Sequence, residues 1–424
     1  MNTKIYDEIY EYVMKLEIID THEHLPPYES KRQKDTDILK EYLSHYFSCD
    51  LVSAGLKQAD LQKVVNNKLP LMERWNLVEP YWEIARNTGY GRSLDITVKG
   101  IYGIEKICRT TIEELNNLFL ESLKQSGQFK KVLKDKSKIK ISLLDCSSDS
   151  DKMFFKSVYR IDPYIFPLTF EELKQREQES GIKINSFDNW LEMTEIMLNK
   201  FVSQGTDVLK TALAYHRILR YEHVTKNEAE DGFNEIFRLK NTNTLATHFN
   251  INKKFQDYMM HFILSFANKR NLTIQFHTGL QEGIGNIISN SDPSLLTNLF
   301  LEYPDIKFDL FHIGYPYQHL LSAISKNFQN VFIDMCWANI ISPVACVNAL
   351  VEYLDSVPIN KISAFGGDYL FIDGVYGHQY LARENISKAL TKKVEDGAFN
   401  IDRAKEIAKM IFYENPLKIF GIKS

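Results

Sequence analysis

Five short apolar runs in this chain each end at a residue able to hold a metal ion, and that placement constrains the fold more than any other feature. Residues 16–20 lead into Thr21, His22, Glu23 and His24, and 208–209 reach Lys210. Residues 273–276 reach His277, 308–311 reach His312, and 362–367 reach Asp368. Ligands carried on separate strands can meet at one ion only where the strand ends open onto a common face. A parallel barrel supplies that face, because all of its strands finish at the same rim. The expected fold is α/β: a TIM (β/α)8 barrel with a helical insertion between strands one and two.

The rest of the chain is consistent with this. Residues 1–15 carry Ile5, Ile9, Tyr12 and Val13 at helical spacing. Strands are expected at 16–20, 138–146, 158–161, 205–214, 272–277, 306–312, 331–335 and 362–367. Helices are expected at 186–204, 252–271, 294–303, 319–327, 344–357, 379–389 and 401–412. Near-continuous apolar strands alternating with helices indicate parallel pairing buried on both faces. From about 26 to 130 no buried strand is evident. Helical stretches at 56–65 and 71–87 stand there instead, with turn signals at Asn66, Asn67 and 89–91. That is too long for a βα loop and reads as the insertion. Its Trp75, Tyr81, Trp82, Arg86, Tyr90 and Arg92 read first as the insertion's own core and second as a substrate lid. The lysine-rich stretch 124–140 reads as a solvated helix and loop. An α/β barrel with such an insertion can use all 424 residues as one domain.

Bulk properties exclude several classes. A net charge of −4 gives no electrostatic footprint for nucleic acid or an anionic membrane. Five widely spaced cysteines, an odd number with no CxxC pair, argue against a disulfide framework and for a reducing compartment. The first fifteen residues lack the pattern of a secretory leader, and no apolar run approaches the ~20 residues of a membrane span. The expectation is a soluble cytoplasmic protein acting on a small molecule, with a homo-oligomer compatible.

The chemistry lies at the strand ends. His22 and His24 are two apart on extended chain, so both imidazoles point the same way and can reach one ion. An isolated HxH is usually a pair of loop histidines; Asp20 and the matching residues on later strands set this one apart. His277 and His312 each follow an apolar strand and precede, by two positions, a glycine suited to a sharp exit turn. Either alone would read as a satisfied core histidine, whereas two in successive strands point to ligation or catalysis. Asp368 follows Gly366 and Gly367, and a carboxylate in so crowded a place needs a cation or strong donors. A turn-forming aspartate is its plainer reading. Lys210 could bridge two metals as a carbamate, pair with a substrate carboxylate, or extend to solvent. Candidates for holding substrate are Tyr215, Arg217, Tyr315 and Trp337. The guanidinium of Arg217 suits a carboxylate or sugar acid, although a loop arginine is more often only solvated. His216, Gln281, Glu282 and His378 could also line the pocket. Nitrogen-rich ligation favours Zn2+ as the divalent metal, one ion with two as the alternative.

Taken together these motifs resemble the amidohydrolase superfamily, over nearly the whole chain and in order. The points of likeness are HxH after strand one, histidines after strands five and six, and aspartate after strand eight. The resemblance implies metal ligation by His22, His24 and His277, with His312 a further ligand or a carbonyl-polarising residue. It makes Asp368 both ligand and proton shuttle. Within the superfamily the chain is similar to the amidohydrolase-related branch, which holds hydrolases and decarboxylases. The helical insertion and the run IIDTHEHL at 18–25 also resemble uronate isomerases, although AFGGDY at 364–369 lacks the arginine-bearing strand-eight motif of those enzymes. The resemblance implies a metal-dependent hydrolase acting on an amide, ester or lactone carbonyl. Sugar-acid isomerisation and non-oxidative decarboxylation are the alternatives.

Overall fold

The computed structural model describes residues 2–146, 149–166, 170–238 and 253–422. Asn252, where the helix expected at 252–271 would start, lies outside the described residues. Eight strands form one sheet in sequence order: β1 (Ile18–Glu23), β2 (Ile139–Asp145), β3 (Phe155–Arg160), β4 (Val208–Thr211), β5 (Thr273–Phe276), β6 (Lys307–Leu310), β7 (Val331–Asp334) and β8 (Ile362–Ser363). Every neighbouring pair is parallel. The first and last edges meet through backbone bonds just past β8. Thr21 N–H donates to Phe365 O at 3.1 Å, Asp368 N–H to His22 O at 2.8 Å, and His24 N–H to Tyr369 O at 3.1 Å. The result is a (β/α)8 barrel.

Two strand boundaries differ from expectation in a way that matters. β1 runs on through Glu23, so His22 lies within the strand, held by those closing bonds, and not in the loop after it. β8 is only two residues long, because the chain beyond it turns aside at Gly366 and Gly367 to bond with β1. The interior is also more polar than a near-continuous apolar reading allows. Asp20, Ser142, Lys210, Gln275, Asp309, Asp334 and Ser363 are all buried. Some of them bond one another: Asp20 accepts from the Ser142 hydroxyl at 2.8 Å, and Gln275 donates to Asp309 at 3.3 Å and to Thr21 O at 2.9 Å.

Between β1 and β2 the chain forms the helices Ile38–Leu43, Tyr46–Ser53, Gln58–Val64, Leu71–Ala85, Gly89–Tyr102 and Ile112–Lys124. Residues 89–91 open a helix and do not make the expected turn. A side chain at Gly89 would meet the Ile340 carbonyl at 2.1 Å, so glycine serves close packing there. Trp75 and Trp82 are fully buried. Tyr46 and Tyr90 stack 5.4 Å apart, and Tyr46 lies 4.7 Å from Trp337 at the end of β7. Helices from this stretch therefore cover part of the barrel mouth. Among the described residues no helix is long and apolar enough to cross a membrane.

Candidate metal centre

The barrel mouth opens into a cavity of about 320 Å³ lined by His22, His24, His45, Tyr46, Arg160, Lys210, Ala212, Tyr215, His216, His277, Glu282, Asp368 and Leu370. Three donor atoms converge at its floor. His22 Nε2 and His24 Nε2 are 3.2 Å apart; Asp368 Oδ1 stands 3.2 Å from His24 Nε2 and 3.5 Å from His22 Nε2. Donors about 2.0–2.2 Å from a tetrahedral zinc-sized ion stand roughly 3.3 Å from one another. The observed spacing fits that requirement. Two imidazoles and a carboxylate with an open side are the donor set of a catalytic divalent cation, and a cation at their centre satisfies all three at once.

The backbone around Asp368 is built to bring the carboxylate there. Asp368 itself adopts φ 57°, an uncommon conformation for a residue with a side chain. A Cβ on Gly367 would lie 1.7 Å from Glu23 Oε1, so only glycine allows the approach. The segment is latched to β1: Asp20 Oδ1 accepts from Gly367 N–H at 2.9 Å, and Glu23 Oε2 accepts from Tyr369 N–H at 2.8 Å. The Tyr46 hydroxyl donates to the Asp368 backbone carbonyl, and His378 Nδ1–H donates to Gly367 O at 3.0 Å. Burial opposes ionisation of Asp368, yet the His24 hydrogen bond holds its carboxyl well below the ordinary range. Burial also keeps His22 well below ordinary imidazole basicity, so its ring is neutral and able to ligate.

His277 and His312 are arranged differently. The His277 Nε2–H donates to Leu280 O at 3.1 Å, and the His312 Nδ1–H donates to Cys336 O at 2.9 Å. Their remaining nitrogens face each other at 3.1 Å. His277 is not brought into the His22–His24–Asp368 triangle; with each outer nitrogen donating to a carbonyl, the two inner nitrogens are both lone-pair acceptors, which no hydrogen bond joins and which only a shared cation or an added proton satisfies. Burial lowers the basicity of both, that of His312 to about 4. His312 Nε2 is 4.0 Å from Asp368 Oδ2, beside the triangle. The exit turns run as expected, with positive φ at Gly279 and Gly314.

Other expected residues divide. Lys210 is 1% exposed, lines the cavity and lies 3.6 Å over the Phe311 ring; burial lowers its ammonium to about 8. The solvent-extended reading of Lys210 is therefore corrected. Tyr215 lines the cavity, its ring 4.8 Å from that of His277. Arg217 is corrected: it does not reach the cavity. Its guanidinium is buried, paired with Asp257 and Gln256 and donating to the Ile218 and Arg220 carbonyls. Those partners come from outside the barrel mouth, in the helix Lys253–Asn268 and in the arginine's own loop. Tyr315 and Trp337 also lie off the cavity wall. Trp337 is buried behind it, 5.0 Å from His312, and Tyr315 O accepts from Leu280 N–H at 2.7 Å. His378 supports the Asp368 segment from behind, while Glu282 and His216 line the cavity.

Three cavity-lining residues, Arg160, His45 and Tyr46, escaped the sequence reading, as did Asp145 next to the histidine pair. Asp145 ends β2, with Oδ2 4.0 Å from His22 Nε2 and 3.9 Å from His24 Nδ1. Arg160 ends β3 and pairs with Asp145 and Asp162. Burial opposes the charge on Arg160, but Asp145 and Asp162 raise its pKa. Both residues sit at strand ends, so the rule that found His277 would have found them. His45 and Tyr46 come from the helical stretch, where strand periodicity carries no signal.

A (β/α)8 barrel with imidazoles and a carboxylate converging at its mouth defines the class. An amidohydrolase family model matches residues 209–422, and the chain belongs to the amidohydrolase family. The protein fluG of Emericella nidulans is 24% identical over 176 residues, which cover 40% of this chain and 20% of fluG. The match thus spans about a fifth of that relative's length. Among solved structures, uronate isomerase from Thermotoga maritima is similar at TM-score 0.80 and 16% identity, over 98% of this chain and 97% of its own. Glucuronate isomerase from Caulobacter crescentus gives TM-score 0.77 at 16% identity, over 99% and 94%. A proposed metal-dependent hydrolase from Lactobacillus casei gives 0.65 at 16%, over 97% of each chain. At such identities these likenesses speak for the fold.

Proposed function

We propose that this protein is a metal-dependent hydrolase of a small polar substrate, a single domain whose cation is held by His22, His24 and Asp368. The observation that carries the reading is the triangle of donor atoms with sides of 3.2, 3.2 and 3.5 Å, open toward a cavity. Zinc suits that donor set, and when bound it supplies a Lewis acid and a water acidified into the neutral range. Asp368 receives the proton released as water adds to the substrate carbonyl, then returns it to the leaving group. Its Oδ2 stands 4.0 Å from His312 Nε2, a lone-pair nitrogen placed to accept from Asp368 once the carboxyl carries that proton. Lys210 lines the same cavity, as does Arg160, whose guanidinium also pairs with Asp145 and Asp162, and these two cations favour a substrate bearing a carboxylate. Tyr215 shields the His277 side from solvent.

Sugar-acid isomerisation is the second reading. It is favoured by the near full-length likeness to two uronate isomerases and by the same two cations, Arg160 and Lys210. There Asp368 would move a proton between adjacent carbons of an open-chain substrate.

One experiment separates them. Metal-replete protein is incubated with small amides and lactones bearing a carboxylate, and separately with glucuronate, while acid release and ketose formation are followed. Acid release without ketose supports hydrolysis, and ketose without hydrolysis transfers the assignment to isomerisation. Full rates for either reaction in His22→Ala/His24→Ala protein stripped by chelator would overturn both.

A further inference from the structure

A second group of metal-capable side chains gathers on the outer layer, away from the barrel mouth. His223 lies in the connection after β4, His261 in the helix Lys253–Asn268, and Glu302 at the end of the helix Thr297–Glu302. His223 Nε2 stands 2.8 Å from Glu302 Oε2, and His261 Nδ1 stands 3.5 Å from the same oxygen. The two imidazoles stack with centroids 4.5 Å apart at 24°. One donor atom from each residue lies within 4.8 Å of the others. We propose that His223, His261 and Glu302 form a separate binding site for a divalent transition-metal cation of the zinc, cobalt or nickel kind.

The chemistry selects that class of ion. Two imidazoles with one carboxylate suit borderline cations, whereas Mg2+ and Ca2+ favour all-oxygen shells. Three protein donors on an open surface leave room for water to complete the shell. One donor is fixed and one is free to adjust: the His261 side chain is 11% exposed and that of His223 is 72% exposed. The His261 Nδ1 lone pair can be released to an ion. The Tyr303 hydroxyl now lies 2.8 Å from it, but has a second acceptor in the His261 backbone carbonyl at 3.3 Å. Turning to that carbonyl keeps the phenol bonded and frees the nitrogen.

The consequence reaches the barrel mouth. The connection bearing His223 also carries Tyr215 and His216, which line the cavity. It is already tied outward where Asn298 donates to Tyr221 O at 2.5 Å and Leu219 N–H donates to Asn290 O at 2.8 Å. Arg217 further binds this loop to Asp257 and Gln256, and an ion shared by His223, His261 and Glu302 adds one more link between the loop and the same two outer helices.

The test uses full-length protein carrying His22→Ala/His24→Ala, which disables the barrel-mouth triangle and makes the result independent of the proposed reaction. Zn2+ is titrated into this protein and into the same protein with His223→Ala and Glu302→Gln added. The expected result is one fewer ion bound per chain in the second protein, with loss of the zinc-dependent rise in unfolding temperature. Co2+ gives a visible spectrum that should report nitrogen–oxygen coordination in the first protein only. Equal stoichiometry and equal thermal shifts in the two would overturn the site and leave a surface ion pair only. Because His223 is exposed and Glu302 changes to an isosteric amide, both variants are expected to fold.

Discussion

Two sectors of the barrel rim carry histidines at equivalent strand ends, yet they present them in opposite ways. On the β1–β8 side, His22 Nε2, His24 Nε2 and Asp368 Oδ1 point at one another and at the cavity. On the β5–β6 side, His277 and His312 each donate outward to a backbone carbonyl and face inward as a pair. A strand-end histidine is therefore only a candidate. The partner of its far nitrogen decides which nitrogen is free and where its lone pair points. The first sector turns three donor atoms to one point, as a shared ion needs, whereas the second turns two ring nitrogens toward each other beside it.

The largest expected difference between the sectors comes from Asp368→Asn. If Asp368 is both ligand and proton carrier, turnover should fall by about 10³-fold, while elemental analysis still finds much of the metal, since the amide oxygen can ligate. His312→Phe tests the other sector. A fall of about 10²-fold in kcat, with metal content and KM little changed, fits a group that accepts from Asp368 while it carries the proton. A loss of metal equal to that of His22→Ala would instead make the pair a ligand site and erase the distinction.

Arg160→Lys comes next. It should raise KM for carboxylate-bearing substrates by about tenfold, the loss of one two-pronged contact, with little change for neutral substrates. An equal effect on both kinds would make Arg160 a structural partner of Asp145 only.

The smallest effect concerns acid stability and the support behind β8. Burial lowers the His378 pKa to about 4, from an ordinary value of 6.5. Between those values the unfolded chain binds a proton that the folded chain does not, so stability present at neutral pH is lost as pH falls through that window. Metal-free protein titrated with denaturant at pH 6.5 and pH 5 should lose on the order of 1–2 kcal/mol more than His378→Gln does. Identical losses would show that this ring does not report the β8 segment.

Much of this architecture was legible in the residues because it rests on local patterns. Apolar runs of strand length, separated by helical periodicity, were enough to place all eight strands, though β1 ended three residues later than expected and β8 four earlier. Both boundaries moved for the same cause: backbone bonds between β1 and the segment after β8 join residues about 345 positions apart. No local pattern encodes such a pairing. Arg217 misled for a related reason. Its loop position suggested the cavity, but Asp257 and Gln256, some 40 residues on, capture its donors. Asp145 and Arg160 were within reach of the strand-end rule. Tyr46 was not, because it arrives on a helix whose docking depends on packing against Trp337 and Tyr90.

The order of amino acids by itself determined the barrel and the short roster of residues able to serve its mouth, since hydrophobic periodicity and strand-end position are properties of neighbours in the chain. Only the tertiary structure decided which of those residues meet. Ligation geometry and hydrogen-bond competition are settled within a few ångströms in space, among groups the sequence holds far apart, and so His24 met Asp368 while His277 came to face His312.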